Sequence, residues 1–201
     1  MNDAIIAHYE RHAHDFDRDR NGGPGGALIE QGWLTRFILP LAKGAAMLDL
    51  GCGGGEPVDR FLIDRGFKLT GVDGAPTLIE LARTRFPRHE WLIGDMRRIT
   101  IVRQFDAILA WSSLFHLSPP DQEAMIDRIG RWLKPGGRLL FNSGPAHGMA
   151  MGEYRGDPLY HASLDPAEYR AAFTRNGLIE VAYVPDDRHC GGMSVWLARK
   201  A

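Results

Sequence analysis

An acid and three glycines at alternating positions are the densest chemical signal in the chain. In the stretch LDLGCGGGEP they are Asp49, Gly51, Gly53 and Gly55. A turn built from glycines lets the backbone approach a ligand closely, because no Cβ stands in the way. A phosphate, a dinucleotide and a nucleoside without phosphate would each suit such a turn. The neighbouring residues must decide between these ligands.

Two phosphate-binding patterns fail at particular residues. The dinucleotide pattern G-x-G-x-x-G, counted from Gly51, places Glu56 where the third glycine should stand. A carboxylate there would repel a pyrophosphate at the helix N-terminus. A P-loop needs a lysine after its glycines, and no lysine follows this turn. A ligand without phosphates is therefore favoured.

Two further acids follow later predicted strands. Asp73 ends the strand in TGVDGA, and Asp95 with Met96 follows the next strand in GDMRR. A carboxylate in the place of Asp73 can accept hydrogen bonds from both hydroxyls of a ribose. Asp73 could instead cap the following helix, and Asp95 could be a plain turn acid.

With these motifs in this order, the chain resembles the class I S-adenosylmethionine-dependent methyltransferases of the small-molecule type. The resemblance covers roughly residues 49–199 and includes FDAILAWSSLFHL and LKPGGRLLF. It implies that S-adenosylmethionine is the cofactor and that the acid–glycine motif, Asp49 with its three glycines, holds it. It also implies that Asp95 receives the adenine amino group and that the Met96 amide meets the ring.

Other cofactor contacts follow from the same resemblance. In the family an N-terminal arginine often meets the cofactor carboxylate, which makes Arg20 a candidate. Aromatic faces attract cations, so Tyr9, Phe16 and Trp111 are candidates for the sulfonium. Trp111 could equally fill the core, and Asp49 could merely fix the turn.

The catalytic step itself demands few residues. Methyl transfer from a sulfonium depends mainly on orientation, and a general base is needed only if the nucleophile starts protonated. His116 is the candidate base, although it could simply anchor the loop before the next helix. Tyr154, Tyr160 and His161 lie in a long segment that we expect to be irregular and to shape the acceptor pocket as a lid.

Three histidines near the N-terminus raise the question of a metal. His8 and His12 are spaced i, i+4 and would share a helix face, with His14 close by. No acidic or third partner stands at a defined spacing from them, so we predict no metal site. A solvated, partly amphipathic helix is the simpler interpretation.

Alternating strand and helix patterns must position these residues. They predict an α/β, Rossmann-like sheet of seven mostly parallel strands with helices on both faces. Only DDRHCGG joins the last two strands, so the last one should be antiparallel. Helices are expected at 2–14 and 27–40, with the flexible joint RNGGPGG (20–26) between them. We expect one methyltransferase domain over 1–201, with 1–40 as a helical cap on the cofactor site.

Composition limits the possible partners. The 201 residues carry 24 basic and 25 acidic side chains, so no cationic surplus favours nucleic acid. Two cysteines form no disulfide framework, which favours the cytoplasm. The chain has no apolar run of about 20 residues, so we expect no membrane span.

The expected acceptor is therefore a small molecule, and the expected state is a monomer or homodimer. A methyltransferase acting on RNA or protein and a non-catalytic S-adenosylmethionine-binding protein remain alternatives. A nicotinamide oxidoreductase is opposed by Glu56.

Overall fold

The computed structural model of the chain describes residues 2–22 and 28–201. Within this part, seven strands form one sheet and two more form a separate hairpin. The sheet strands, in chain order, are β1 (Ala46–Leu50), β2 (Lys68–Asp73), β3 (Glu90–Ile93), β4 (Phe105–Ala110), β5 (Leu133–Ser143), β8 (Leu178–Asp187) and β9 (Met193–Lys200). The hairpin strands are β6 (Gly148–Tyr154) and β7 (Asp157–Ser163).

The strand order of the sheet is β3-β2-β1-β4-β5-β9-β8. β1, β2, β3, β4 and β5 pair in parallel, whereas β9 pairs antiparallel with both β5 and β8. The predicted seven-stranded sheet with an antiparallel last strand is thus confirmed. The order reverses at β1, and in such open sheets ligands bind outside the carboxyl ends of the strands at that switch point.

Helices connect the strands. In the described residues they are α1 (Asn2–Arg11), α2 (Ala13–Gly22), α3 (Gln31–Ile38), α4 (Val58–Asp64), α5 (Pro76–Arg85), α6 (Pro119–Trp132) and α7 (Pro166–Arg175). Local sequence explains several of their ends. The Ser118 side chain accepts the Asp121 N–H at the start of α6. Asp165 and Glu168 form a capping box at the start of α7.

Alternate residues of the central strands supply two apolar cores on opposite faces of the sheet. Leu48 and Ile108 belong to one core, together with Ile126 of α6. Their neighbours Met47 and Leu109 belong to the other core, which α3 and α4 cover. This alternation follows from the two-residue period of a strand, and it confirms helices on both faces.

The N-terminal helices differ from the prediction. The single helix expected at 2–14 is two helices that reach Gly22, so Arg20–Gly22 of the predicted joint is helical. The rest of that joint, 23–26, lies outside the described residues. The second helix was predicted from 27 but begins at Gln31.

The segment after β5 was predicted to be irregular, and this was wrong. It forms the antiparallel hairpin β6–β7, in which Gly148 pairs with Ser163 and Tyr154 with Asp157. The β6 sequence shows no regular alternation of apolar and polar residues, because most of this strand is exposed on both faces. The LKPGG segment belongs to β5, and the pairing of β5 with β4 shifts register there.

No helix among residues 2–22 and 28–201 is long and apolar enough to cross a lipid bilayer.

Candidate functional site

A cavity lies at the carboxyl edge of the sheet, beside the reversal of strand order. Its walls come from the glycine turn after β1, the end of β2, the loop after β3, the loop after β4, and α1 and α2. The lining residues that the sequence singled out are Tyr9, Phe16, Gly51, Gly53, Asp73, Asp95, Met96 and His116. Residues far apart in the chain therefore meet in one place.

The glycine turn is tied to β2 by backbone bonds. The amides of Gly51 and Cys52 both donate to the Val72 carbonyl, at 2.7 and 3.1 Å. Gly51 has φ +83°, and a Cβ there would stand 2.4 Å from the Ser113 Cβ. Only glycine fits such a position without strain. Gly55 also has positive φ, but it packs toward Phe86 and lies outside the cavity lining.

Asp73 joins the turn to the next helix through its carboxylate. Its two oxygens accept the N–H groups of Gly53 and Ala75, each at 2.9 Å. Desolvation raises the pKa of Asp73, and these two donors oppose the rise. Each carboxylate oxygen keeps a second lone pair. Asp73 can therefore accept further hydroxyl donors from the cavity that it lines.

Two buried acids lie behind the turn. Asp49 ends up under it, outside the cavity lining, and faces Asp59 of α4, whose side chain is 0% exposed. Among the described residues, no group other than the facing carboxyl of Asp49 hydrogen-bonds to either oxygen of Asp59. Burial raises the pKa of both acids, and their mutual hydrogen bond requires a shared proton.

The loop after β3 places Asp95 and Met96 in the cavity wall. Asp95 Oδ1 accepts the backbone N–H of Arg97 at 2.9 Å, and Oδ2 pairs with the Arg97 guanidinium at 2.5 Å. These contacts fix the loop and hold the carboxylate at the edge of the cavity. The arrangement keeps acceptor oxygens and the Met96 backbone beside the space that Asp73 borders.

His116 lies opposite the glycine turn, in a short 3₁₀ turn after β4. Its Nδ1 is 2.9 Å from the Tyr160 carbonyl, which can only accept, so Nδ1 carries the proton. Its Nε2 therefore accepts the Tyr9 hydroxyl at 2.8 Å. Burial lowers the pKa of His116 to about 4 and raises that of Tyr9. The pair is thus a neutral imidazole held by a neutral phenol.

Two further cofactor candidates lie away from the cavity. Arg20 pairs with the buried Glu30 at 2.6 Å and lies outside the lining. Trp111 packs in the core beside Leu109. Their predicted cofactor contacts stay predictions, and neither side chain reaches the cavity in this arrangement.

The three substrate candidates belong to the hairpin and point to different places. The Tyr154 hydroxyl donates to Asp19 of α2 at 2.8 Å. Tyr160 is buried and meets His116 through its carbonyl. The His161 ring is tilted against the His116 ring, with 5.0 Å between the ring centroids, and borders a second groove with Phe115. The hairpin thus contacts His116 without lining the cavity, and these three side chains share no single pocket.

Cys52 sits within the glycine turn and is buried. Its thiol lies 3.6 Å from the Gly53 carbonyl. Burial raises the pKa of this thiol, and the acids around it, Asp73 first, add to the rise. The cysteine is therefore protonated at neutral pH.

Sequence reasoning missed some residues of the site. Asp59 of α4 pairs with Asp49, and the available sequence signal was an acid in the first turn of that helix. Ser113 buttresses the turn by donating to the Leu50 carbonyl at 2.5 Å. Asp157 supplies the acidic partner that His8 and His12 lacked in the sequence. These pairings join residues distant in the chain, so spacing could not reveal them.

Comparisons with known proteins agree with this geometry. A family model described as a methyltransferase domain matches residues 47–137. Ubiquinone biosynthesis O-methyltransferase of Coxiella burnetii is 34% identical over 106 residues, 50% of this chain and 44% of that protein. Trans-aconitate 2-methyltransferase of an Azoarcus species is 32% identical over 103 residues, 50% of this chain and 40% of that protein. The match thus spans less than half the length of these curated relatives.

A solved structure extends the likeness over the full chain. Magnesium protoporphyrin IX methyltransferase from Synechocystis PCC 6803, determined with bound S-adenosylmethionine, has a TM-score of 0.76 and 14% identity. The alignment covers 100% of this chain and 97% of that one. At this identity the likeness concerns the fold. Residues 47–137 thus match a methyltransferase domain, and the fold of the whole chain is similar to that of S-adenosylmethionine-dependent methyltransferases.

Proposed function

We propose that the protein is an S-adenosylmethionine-dependent methyltransferase that transfers a methyl group to a small-molecule acceptor. One observation carries the proposal: a single cavity gathers the Gly51–Gly53 turn, Asp73 and the Asp95–Met96 loop. These groups come from the ends of three consecutive strands, at the edge where open α/β sheets bind ligands. In this proposal Asp73 holds the ribose, and Asp95 with the Met96 amide holds the adenine.

The charges around the turn fit a cationic ligand. Asp49, Asp59 and Asp73 all lie near it, and desolvation raises the pKa of each. A nearby positive charge favours the ionised form of such acids. S-adenosylmethionine carries a sulfonium and an ammonium against one carboxylate, whereas a dinucleotide would bring two negative phosphates. The donor set therefore suits the former and opposes the latter.

When bound, S-adenosylmethionine supplies a methyl group already activated on sulfur. The protein then has to orient the acceptor, exclude water and hold protons in place. Tyr9, Phe16 and Ile6 cover the cavity from the N-terminal helices, which supports 1–40 as a cap within one domain. Aligning reacting atoms at about 3–3.5 Å can provide much of the rate.

His116 is the group best placed to meet an acceptor. Its Nε2 presents a lone pair, which accepts a hydrogen bond from the Tyr9 hydroxyl. An acceptor hydroxyl could replace Tyr9 as the donor and be oriented by the same nitrogen. With a pKa near 4, the imidazole is a weak general base at neutral pH. We therefore propose that His116 positions the acceptor hydroxyl. The imidazole takes the proton of that hydroxyl during methyl transfer and does not remove it beforehand.

Two observations support a small acceptor. The relatives named above are a ubiquinone biosynthesis O-methyltransferase and a trans-aconitate 2-methyltransferase. The β6–β7 hairpin contacts His116 through the Tyr160 carbonyl and the His161 ring, and Tyr9 and Phe16 of the N-terminal helices line the cavity next to His116. A cavity lined in this way suits a small acceptor better than a macromolecule. We also propose a cytoplasmic location, which suits the buried, unpaired Cys52 and Cys190.

Calorimetry tests the cofactor assignment. We expect S-adenosylmethionine and S-adenosylhomocysteine to bind and NAD to give no heat. The Asp73→Asn variant should lose on the order of 1.5–3 kcal/mol of binding free energy, or about 10- to 150-fold in affinity, because a charged acceptor is removed. Asp64→Asn, an exposed acid on α4, is the matched control and should bind as wild type does. Tight NAD binding would overturn the proposal.

Turnover tests the acceptor. A screen of small hydroxylated and carboxylated metabolites with S-adenosylmethionine should yield S-adenosylhomocysteine with at least one of them. RNA and protein fractions serve as the competing substrates. Binding without turnover on any class would favour the non-catalytic alternative.

A further inference from the structure

The cluster of His8, His12 and Asp157 has no part in the proposed methyl transfer. His8 belongs to α1, and His12 follows one helical turn later, its amide donating to the His8 carbonyl at 3.1 Å. Asp157 starts β7, on the other side of the cap. The ligand atoms of the three side chains all lie within 4.8 Å of one another.

The distances are close to those of a metal site. His12 Nε2 is 2.9 Å and His8 Nδ1 is 3.8 Å from the same oxygen, Oδ2 of Asp157. Tetrahedral ligands bound at about 2.0–2.1 Å stand about 3.3 Å apart. Small side-chain rotations would therefore bring the two imidazoles and the carboxylate to ligand spacing.

The environment of His8 is a second, independent observation. Its side chain is 5% exposed, and its Nε2 has no hydrogen-bond partner among the described residues, whereas Nδ1 is the ring nitrogen nearer to Asp157. A buried polar side chain with an unpaired nitrogen costs free energy unless a ligand or water satisfies it. The rings of His12 and Tyr154 pack around it at 4.9 and 5.8 Å. The polar cluster is thus enclosed around His8 and partly open to solvent at Asp157, whose side chain is 33% exposed.

We propose that His8, His12 and Asp157 bind a divalent transition-metal ion of the zinc class. Two imidazoles and one carboxylate are a common donor set for such ions, and water would complete the coordination. The ion would join α1 to β7 and so hold the N-terminal cap against the hairpin. Its role would be structural, because Tyr9, next to His8, and not the cluster itself, lines the cavity.

One residue competes with the ion. The Arg11 guanidinium lies 2.5 Å from Asp157 Oδ2, but its side chain is 63% exposed and can turn away into solvent. A positive charge at this place weakens cation binding. Arg11→Gln should therefore bind the metal more tightly, by about fivefold for a charge in a solvated setting.

Titration of tag-free protein, stripped of metals by chelation, tests the proposal. Calorimetry with Zn²⁺, repeated with Co²⁺, should show one ion per chain. Asp157→Asn and His12→Gln should each weaken binding by at least about tenfold, since even indirect support of a ligand is worth that much. His14→Gln removes an exposed histidine two residues away and should bind as wild type does.

Thermal melting supplies a second readout. Zn²⁺ should raise the melting temperature of wild type and of His14→Gln, but not that of Asp157→Asn. Circular dichroism of metal-free Asp157→Asn establishes whether the variant is folded, and His12→Gln gives the answer if it is not. Wild type that binds no Zn²⁺, or binding that is equal in all variants, would overturn the proposal.

Discussion

The neutral His116 predicts a specific dependence of stability on pH. Burial lowers its pKa from 6.5 to about 4 in the folded protein, whereas the unfolded chain keeps the ordinary value. The folded state then binds fewer protons than the unfolded state between these two values. The contribution of His116 to stability is therefore full above pH 6.5 and is lost as the pH falls toward 4.

The size of the effect follows from the same two values. The difference of about 2.5 units corresponds to about 3.4 kcal/mol when the pH lies below both, at about 1.36 kcal/mol per unit. At pH 5 the unfolded histidine is almost fully charged, and the folded one is almost fully neutral. About 2 kcal/mol of the total is then already lost.

Urea unfolding at pH 7.5 and pH 5.0 measures this loss. In His116→Gln the amide can donate to the Tyr160 carbonyl and accept the Tyr9 hydroxyl, yet it does not titrate. The fall in unfolding free energy between the two pH values should be about 2 kcal/mol smaller in this variant than in wild type. The comparison cancels every other titrating group. The control variant His14→Gln removes an exposed histidine, and its unfolding free energy should fall by as much as that of wild type.

An equal fall in wild type and His116→Gln would refute the reasoning. It would mean that His116 titrates alike in the folded and unfolded chain. The imidazole would then be charged in part near pH 6.5, and its assignment as a lone-pair acceptor for the substrate would fail with it.

Two further predictions concern the turn and the acids beneath it. Gly51→Ala should abolish S-adenosylmethionine binding in calorimetry and lower the melting temperature, because its Cβ would meet Ser113 at 2.4 Å and φ is +83°; retained affinity would show that the turn can move. In urea unfolding, the free energy of unfolding of Asp59→Asn should fall less than that of wild type when the pH is raised from 5 to 8. Burial raises the pKa of Asp59, so wild-type stability falls as the pH rises through that range; identical slopes would contradict a buried shared proton with Asp49.

The sheet and the cofactor edge could be predicted because their signals are local. Apolar runs of strand length, the glycine turn and an acid at each strand end depend only on neighbouring residues. Asp73 and Asp95 both lie in the cavity wall because the carboxyl ends of parallel strands meet at one edge, and their contacts with the cofactor stay predictions. The short connection before β9 sufficed to predict its direction.

What the sequence could not reveal depends on contacts between distant segments. The hairpin β6–β7 is exposed on most of β6, so no apolar alternation marked it. The ion pair between Arg20 and the buried Glu30 is one that no local sequence pattern indicates. Trp111 follows a buried strand directly, and only packing could decide between the core and the cavity. Such choices are made by tertiary structure rather than by spacing.

Burial of Cys52 has a consequence for chemical selectivity. A sulfonium methyl group is an alkylating agent, and a thiolate is among the strongest nucleophiles in proteins. The neighbours Gly51 and Gly53 both line the cavity, while the Cys52 side chain packs in an apolar cluster with Ile79 and Trp91. Because burial and the surrounding acids keep the sulfur protonated, the turn can contain a cysteine without being methylated by its own cofactor. The same acids that suit a cationic ligand thereby protect the protein from self-inactivation.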